Sequence, residues 1–516
     1  MMNGARHTLA ACFCGLASAS AFALNPVRTA DVDRCVAAQL AQSKLSLPSR
    51  CDDAVFLRRV HLDLIGLLPE TDEVRAFLSD KSQDKRRVLI DTLLASPACA
   101  DYQAMRWFDL LRVKSEFPAN LWPNAVQAYA RWIRDSLAAN KPYDVFAREM
   151  LTATGSNFRD PPVNFFRALP QKDATNIAAS VAQSLMGIRF PGLPPATRGD
   201  LARFFSAVDY KPTTEWKEEI VFFNPARLAG LPQDLRFPDG KTARRAPDAD
   251  PRQLFTSWLT APGNPFFARC AVNRLWFQLM GRGIVHEADD LRPDNPPADP
   301  ALLALLEKAL TENAFDLHAV FRLILNSQTY QAEPFTPPET LARRTGYAFY
   351  QVRQLDAEVL LDIICQITGT TESYSSQVPE PYTNFTESRA VRIGDGSVTS
   401  PFLEMFGRPS RDTGLLAERA NWPTADQRLH LLNASHIQRK LQRPPVFRKF
   451  GNRKLKLRPA VPPVEELFLL ALSRYPAPEE RLAAQEYSRA NGGPDISIVQ
   501  DLLWALINTK EFCVRR

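Results

Sequence analysis

The chain has 516 residues, of which 45% are hydrophobic and 23% are charged. This composition excludes an intrinsically disordered chain, and the length suggests two or three globular domains at roughly 100–200 residues per domain. The formal net charge of +6 is mildly basic, so it favours anionic partners without singling out nucleic acid.

The N-terminus has the pattern of an export signal. Arg6 and His7 precede an apolar run, and the small residues at 21–23 (AFA) provide a cleavage site. We therefore expect residues 1–23 to be removed and the mature protein to be periplasmic or extracellular. A lipoprotein box at 9–12 (LAAC) is the weaker alternative, because almost no apolar run precedes it. No later stretch reaches the ~18 apolar residues of a membrane-spanning helix.

Six cysteines remain after the signal, in a compartment where disulfides persist. Cys35 and Cys51 are the best candidates for a bridge. The alternative is that most of the six are small buried hydrophobic residues, since no C-x-x-C spacing remains.

Apolar residues recur at three- and four-residue spacing, which predicts a mainly α, multi-helical protein. The pattern is clear at 55–65, 88–94, 125–137, 302–310 and 320–325. The 41 prolines concentrate in the connections between such stretches.

Two segments, 211–252 and 371–400, lack this periodicity and are predicted to hold short strands or ordered loops. The domain boundary is placed in the first of them. We expect an N-terminal helical domain at 28–210, an irregular linker at 211–251 and a C-terminal helical domain at 252–513.

The densest polar cluster in the C-terminal half follows a glycine-flanked loop at 281–283. Its members are Asp289, Asp290, Arg292, Asp294 and Asn295. Asp290 and Asp294 offer hard oxygen ligands suited to Ca²⁺ or Mg²⁺, and a close carboxylate pair is also suited to acid–base work. The alternative is structural: the carboxylates cap the helix that begins near Pro300 and pair with Arg274 and Arg292.

A basic segment runs from Arg439 to Arg458 without an acidic residue. The candidate anion-binding residues in it are Arg443, Arg448, Lys449, Arg453, Lys454 and Lys456. Because export is expected, acidic polysaccharide, cell-envelope polymer or anionic lipid is favoured over nucleic acid as a partner. The alternative is an exposed basic connection between helices.

The sequence contains no G-x-S-x-G, H-E-x-x-H or phosphate-loop motif. His430 and His436 lie about 240° apart on an ideal helix, which argues against a shared local site. His61 and Asp63 stand on an otherwise apolar helix, and we expect them to form a buried hydrogen-bonded pair.

Two blocks far apart in the chain carry a family resemblance. The first is FLRRVHLDLIGLLPETDEVRAFL at 56–78, and the second is FFARCAVNRLWFQLMGRGIVHEADDLRPDNPP at 266–297. Together they resemble secreted, planctomycete-type proteins with a domain of unknown function numbered 1549 on the N-terminal side and one numbered 1553 on the C-terminal side. That family lacks an established activity, so the resemblance implies an order of domains but no reaction.

The resemblance also implies two thiol motifs that this chain lacks. Many N-terminal domains of the family carry C-x-x-C-H, typical of c-type haem attachment or a metal site, but the matching stretch at 184–208 has no Cys and no His. Many C-terminal domains carry C-x-C before Glu-Arg, where this chain has Leu415 and Ala417. We interpret the two sites as cooperating in other members, and we expect no haem and no other resident cofactor here.

Three functional hypotheses follow from the sequence. The first is an exported helical scaffold or binding protein for anionic cell-surface or extracellular polymer. The second is a metal-assisted hydrolase that uses the Asp289–Asn295 cluster, and the third is a redox-associated protein by family analogy. The analogy also implies a secreted sulfatase-like neighbour protein as a partner.

Overall fold

The computed structural model describes residues 27–334, 350–376, 378, 388–442, 464–491 and 496–516. It confirms the mainly α fold class. The export signal at 1–23 and the six candidate anion-binding residues of the basic segment lie outside these ranges. Within them, no helix is both long and apolar enough to cross a membrane.

Helices build the N-terminal part, and their ends follow local capping rules. Asp52 caps the second helix by accepting a hydrogen bond from the Val55 N–H, and Ser96 caps the fifth by accepting one from the Cys99 N–H. The helices are α1 Thr29–Gln42, α2 Asp53–Leu64, α3 Thr71–Ser79, α4 Lys85–Leu94, α5 Pro97–Leu110, α6 Pro123–Ala138, α7 Tyr143–Thr152, α8 Ala174–Met186 and α9 Pro195–Arg203.

The segment at 211–252 holds short strands, as its lack of helical periodicity predicts. Strands β1 (Gly155–Ser156), β2 (Val208–Pro212) and β3 (Glu219–Phe223) form an antiparallel sheet in the order β1-β3-β2. Strands β4 (Asp234–Arg236) and β5 (Thr242–Arg244) pair with each other.

The C-terminal half continues as helices joined by loops. They are α10 Pro251–Leu259, α11 Phe267–Met280, α12 Pro300–Glu312, α13 Leu317–Leu325, α14 Gln328–Gln331, α15 Ala357–Thr368, α16 Pro401–Met405, α17 Ala425–Asn433, α18 Ser435–Leu441, α19 Val464–Leu472, α20 Pro478–Ala490, α21 Ile496–Ile507 and α22 Lys510–Cys513. Two short antiparallel pairs accompany them: β6 (Arg353–Gln354) with β9 (Val514–Arg515), and β7 (Ser375–Ser376) with β8 (Val398–Thr399).

The described residues bury two hydrophobic cores. The first contains α1–α9 together with α10–α13, and the stacked rings of Tyr143 and Phe267, 4.4 Å apart, join its two parts. The second is built mainly from residues 355–512, and Leu62 of α2 and Tyr102 of α5 also belong to it. The predicted linker at 211–251 therefore does not separate the cores, because the helices that follow it complete the first one.

The six cysteines among the described residues are free thiols in the structure, so the predicted Cys35–Cys51 bridge is not formed. The side chains of Cys35 and Cys51 lie in different surroundings. Cys51 is buried at the start of α2, where its carbonyl accepts a hydrogen bond from Arg86 Nη2 at 2.7 Å. Cys35 lies on α1, and burial followed by the charge of Asp299 raises the pKa of its thiol.

Candidate functional site

A cavity of about 710 Å³ is lined by residues of the first core and by residues that flank the second. Helices α5, α11 and α13 and the end of α6 supply one part of its wall. The loop after α11, the segment 351–356, the segment 416–423 and the C-terminal residues 510–515 supply most of the rest. Its volume falls in the range of ligand-binding pockets.

The lining carries more positive than negative side chains. Seven cations face four carboxylates: Arg106, Lys141, Arg274, Arg353, Arg419, Lys510 and Arg515 against Asp109, Glu287, Asp289 and Asp356. The cavity is therefore suited to an anion.

Asp356, at the start of α15, is the most heavily shared carboxylate of the lining. Its Oδ2 accepts from Arg106 Nη2 at 2.6 Å and from Arg515 Nη2 at 2.7 Å, and its Oδ1 accepts from Asn421 Nδ2 at 2.7 Å. Burial alone would raise its pKa, but Arg106, Arg515 and Arg419 hold the pKa of Asp356 well below its usual value.

Arg419 extends this network across the cavity wall. Its Nη1 lies 2.6 Å from Glu358 Oε2, and its Nη2 lies 2.6 Å from Asp109 Oδ2. Burial would lower the pKa of Arg419, yet Glu358 and Asp109 raise it well above the ordinary value. Arg411, fully buried behind the wall, also donates to Asp109, at 2.9 Å.

Asp63 on α2 connects the network to the first core. Its Oδ2 accepts from the hydroxyl groups of Tyr330 at 2.9 Å and Tyr350 at 3.0 Å, and its Oδ1 lies 3.2 Å from Arg353 Nη2. The predicted pairing of Asp63 with His61 is wrong. Residues two positions apart on a helix point to different sides. His61 instead contacts the Leu57 carbonyl and Glu73.

Guanidinium groups outnumber carboxylates in this buried network. Four carboxylates form ion pairs with six arginines. The carboxylates are Asp63, Asp109, Asp356 and Glu358, and the arginines are Arg106, Arg353, Arg408, Arg411, Arg419 and Arg515. Burial lowers the pKa of Arg408 to about 10, which still leaves it charged at neutral pH. The network thus has a positive excess next to the cavity.

Several buried polar atoms of the lining residues have no hydrogen-bond partner. They are Gln103 Nε2, Arg106 Nε, Tyr143 Oη, Gln278 Nε2, Arg353 Nη1, Arg419 Nε, Asn421 Oδ1 and Arg515 Nε. Buried donors in folded proteins are almost always paired. Seven of these eight atoms can donate, so the matching partner is an acceptor, either an ordered water or the oxygen of a ligand.

The edge of the cavity carries exposed aromatic and titratable side chains. Trp422 is 78% exposed, and Lys510 is exposed without an ion-pair partner among the described residues. The Nε2 atom of His286 lies 3.3 Å from Glu287 Oε1. Burial lowers the pKa of His286 and of His318, so both imidazoles of the lining are mainly neutral at pH 7.

The predicted polar cluster at 289–295 is only partly at the cavity. Asp289 lines it, pairs with Arg274 at 2.9 Å and accepts from the Leu416 N–H at 2.7 Å. Asp289 thereby attaches the 416–423 segment to the loop after α11. That loop is in turn held by buried Asn273, whose side chain bonds both the N–H and the carbonyl of Val285.

The other cluster members bond to one another. Asp290 accepts from Arg292 Nε at 2.6 Å, Asp294 lies 3.3 Å from the same guanidinium, and Asn295 Nδ2 donates to the Asp290 carbonyl at 2.8 Å. The structural alternative is confirmed for the pairing with Arg274 and Arg292. Its capping part is wrong, because Asp299 caps α12 instead.

No group of three or more His, Cys, Asp or Glu side chains in the described ranges is arranged to hold a metal ion. Arg292 occupies the carboxylate oxygens of Asp290 and contacts Asp294, the two residues proposed for Ca²⁺ or Mg²⁺.

The prediction that His430 and His436 do not share a local site is wrong. Their rings are joined by a contact of 3.2 Å between His430 Nε2 and His436 Nδ1. The 240° separation assumed one continuous helix, whereas Ala434, with a ψ of 133°, separates α17 from α18. No Gly or Pro marks this break in the sequence.

Family models match both parts of the chain. Residues 31–190 match PSCyt2, a protein of unknown function (DUF1549), and residues 251–488 match PSD1, a protein of unknown function (DUF1553). The chain belongs to this two-domain family. No curated protein and no solved structure matches it. The DUF1549 part supplies Arg106 and Asp109 to the cavity, and the DUF1553 part supplies Asp356 and Arg419.

The two stretches in which the sequence resemblance led us to expect thiol motifs lie side by side. Gln183 Nε2, at the end of α8 in the DUF1549 part, donates to the Thr413 carbonyl of the DUF1553 part at 2.8 Å. Arg274 donates to the Ser184 carbonyl and pairs with Asp289, which in turn holds Leu416. In this chain, ordinary hydrogen bonds and an ion pair join the two stretches.

Proposed function

We propose that the protein is exported and binds an anionic saccharide unit of a cell-surface or extracellular polymer in the cavity beside the buried arginine–carboxylate network. The observation that carries this proposal is the excess of seven cations over four carboxylates in the lining. Arg106, Arg419 and Arg515 share the single carboxylate of Asp356, so an anionic ligand would add counter-charge where cations are in excess.

The exposed edge of the cavity adds the contacts that a saccharide uses. Trp422 presents a broad apolar face with a polar N–H, which suits stacking on a sugar ring. Lys510 presents a charge that has no ion-pair partner in the described part of the chain. Sulfate, carboxylate and phosphate groups all supply the acceptor oxygens that the unpaired donors of the lining lack.

Charge reversal at Lys510 tests the proposal. We expect Lys510→Glu to weaken binding of a sulfated oligosaccharide about 5-fold at low salt, since it replaces an attraction with a repulsion of roughly 1 kcal/mol in total. The effect decreases as salt is added. Isothermal calorimetry with the sulfated compound and its desulfated counterpart measures both dependences.

Lys81→Glu is the matched control, because Lys81 is exposed and lies away from the cavity. Trp422→Ala and Trp216→Ala form a second pair, in which only the first tryptophan lines the cavity although the second is 64% exposed. Equal binding by Lys510→Glu, Trp422→Ala and the wild type would contradict the proposal.

A further inference from the structure

A second polar site lies on the second core, built by α17, α18 and the segment after α15. His430 is in the last turn of α17 and His436 in the first turn of α18. The extended backbone at Ala434 turns the chain so that His430 Nε2 and His436 Nδ1 face each other at 3.2 Å.

A carboxylate fixes the orientation of one of these rings. Glu372 Oε2 lies 2.6 Å from His436 Nε2, so this nitrogen carries the proton and donates it in a hydrogen bond. His436 Nδ1 is then left with its lone pair toward His430. A carboxylate on the far nitrogen of an imidazole is the usual companion of a metal-bound histidine.

The second ring is free to present its lone pair as well. No hydrogen bond engages His430 Nδ1 in the part of the chain that the structure describes. The ring can therefore carry its proton on Nδ1 and leave Nε2 as a ligand.

The surroundings hold both rings in place. The ring of Phe402 lies 5.6 Å from His430 and 5.7 Å from His436, centroid to centroid, and Phe406 lies 6.2 Å from His430. Buried Lys440 is the nearest cation. Its Nζ lies 3.2 Å from Glu372 Oε2 and also contacts the Thr371 carbonyl, so its charge is already balanced by the same carboxylate.

We propose that His430 Nε2 and His436 Nδ1 together bind one divalent transition-metal ion that prefers imidazole nitrogen, such as Zn²⁺ or Cu²⁺, with water in the remaining positions. Two nitrogens at about 2.0–2.1 Å from a tetrahedral ion are about 3.3 Å apart, close to the separation observed here. Binding needs the tautomer of His430 in which Nδ1 carries the proton, so that both facing nitrogens can act as ligands.

This site is independent of the proposed saccharide cavity. None of its residues lines that cavity. It differs from the acidic cluster in chemistry too, since imidazole selects borderline transition metals whereas carboxylates select Ca²⁺ and Mg²⁺. Two protein ligands hold a metal less tightly than three or four, so we expect exchangeable binding.

Calorimetric titration of the untagged full chain with Zn²⁺ at pH 7.5 tests the site, with Mg²⁺ as the control ion. We expect one Zn²⁺ per chain and no heat from Mg²⁺. His430→Gln and His436→Gln should each abolish this binding. Glu372→Gln keeps both ligands and should weaken it about 10- to 100-fold. His318→Gln is the matched control and should leave it unchanged.

Nitrogen NMR of the wild type keeps the test valid if a variant fails to fold. Zn²⁺ should change the nitrogen chemical shifts of His430 Nε2 and His436 Nδ1. It should leave the nitrogen chemical shifts of His286 and His318 unchanged. The proposal is overturned if no Zn²⁺ binds at concentrations up to about 100 µM, or if the shifted nitrogens belong to other histidines. Zn²⁺ binding that survives in folded His430→Gln and His436→Gln would also overturn it.

Discussion

The buried arginine–carboxylate network beside the cavity and the acidic loop at 289–295 are both rich in charge but are assembled in opposite ways. In the network, Asp356 pairs with Arg106 and Arg515, which lie 250 and 159 residues away in the chain. In the loop, Asp290 pairs with Arg292, two residues away.

The difference shows what a dense run of charge in a sequence can indicate. Charges that are neighbours in the chain can neutralise one another locally and stay near the surface: the Asp294 side chain is 71% exposed. Charges dispersed along the chain converge only after folding. At the network they join the two cores, so the charged cavity lies where the sequence shows no cluster.

The largest expected effect comes from removing the shared carboxylate of the network. Asp356→Ala leaves Arg106 and Arg515 without their main carboxylate in a buried site and removes a third carboxylate from Arg419, which should lower the free energy of unfolding by about 3–5 kcal/mol. Urea denaturation followed by circular dichroism measures it. A loss below about 1 kcal/mol would mean that the network is not buried as described.

The pH dependence of the free energy of unfolding tests the same ion-pair network. The network holds the pKa of Asp356 below its unfolded value of about 3.9, so its contribution to stability is complete above that pH and is lost as pH falls toward the folded pKa. The stability difference between the wild type and Asp356→Asn should be constant from about pH 7 to pH 5. It should decrease below about pH 4, as denaturation at each pH will show. A difference that vanished by pH 5 would contradict the lowered pKa.

Asp289 lies between the two regions, since it belongs to the acidic loop in sequence but is buried at the cavity. Asp289→Ala leaves Arg274 with only carbonyl partners and removes the acceptor of the Leu416 N–H. We expect a loss of about 3 kcal/mol, at the lower end for a broken buried pair. Thermal unfolding of this variant beside Asp290→Ala measures the contrast. Equal losses would show that the loop behaves as one unit.

The smallest effect is expected at the exposed end of the loop. Asp294 contacts only a half-exposed Arg292 at 3.3 Å, and exposed ion pairs contribute little. Asp294→Ala should change the free energy of unfolding by less than about 0.5 kcal/mol. A loss comparable to that of Asp289→Ala, measured in parallel, would remove the distinction between the two regions.

Much of the fold was predictable because local rules decide it. The stretches 88–94, 302–310 and 320–325 lie in helices, where apolar spacing marks the buried face. The short strands between 208 and 244 fall where that spacing disappears.

The candidate site was not predictable, because its geometry depends on long-range contacts. Nothing near Asp356 in the sequence indicates Arg106 or Arg515. The helix break at Ala434 also lacks a local signal, so the contact between His430 and His436 was missed. The one usable signal was Trp422, which precedes a proline outside any helical pattern.

Hydrogen–deuterium exchange of the full chain, with and without a sulfated oligosaccharide, tests the central claim most directly. If the cavity binds the saccharide, the backbone amides of 283–289 and 416–422 should exchange more slowly when it is present, together with those next to Lys510. Protection confined to the basic segment at 439–458, with no change at the cavity, would contradict the account.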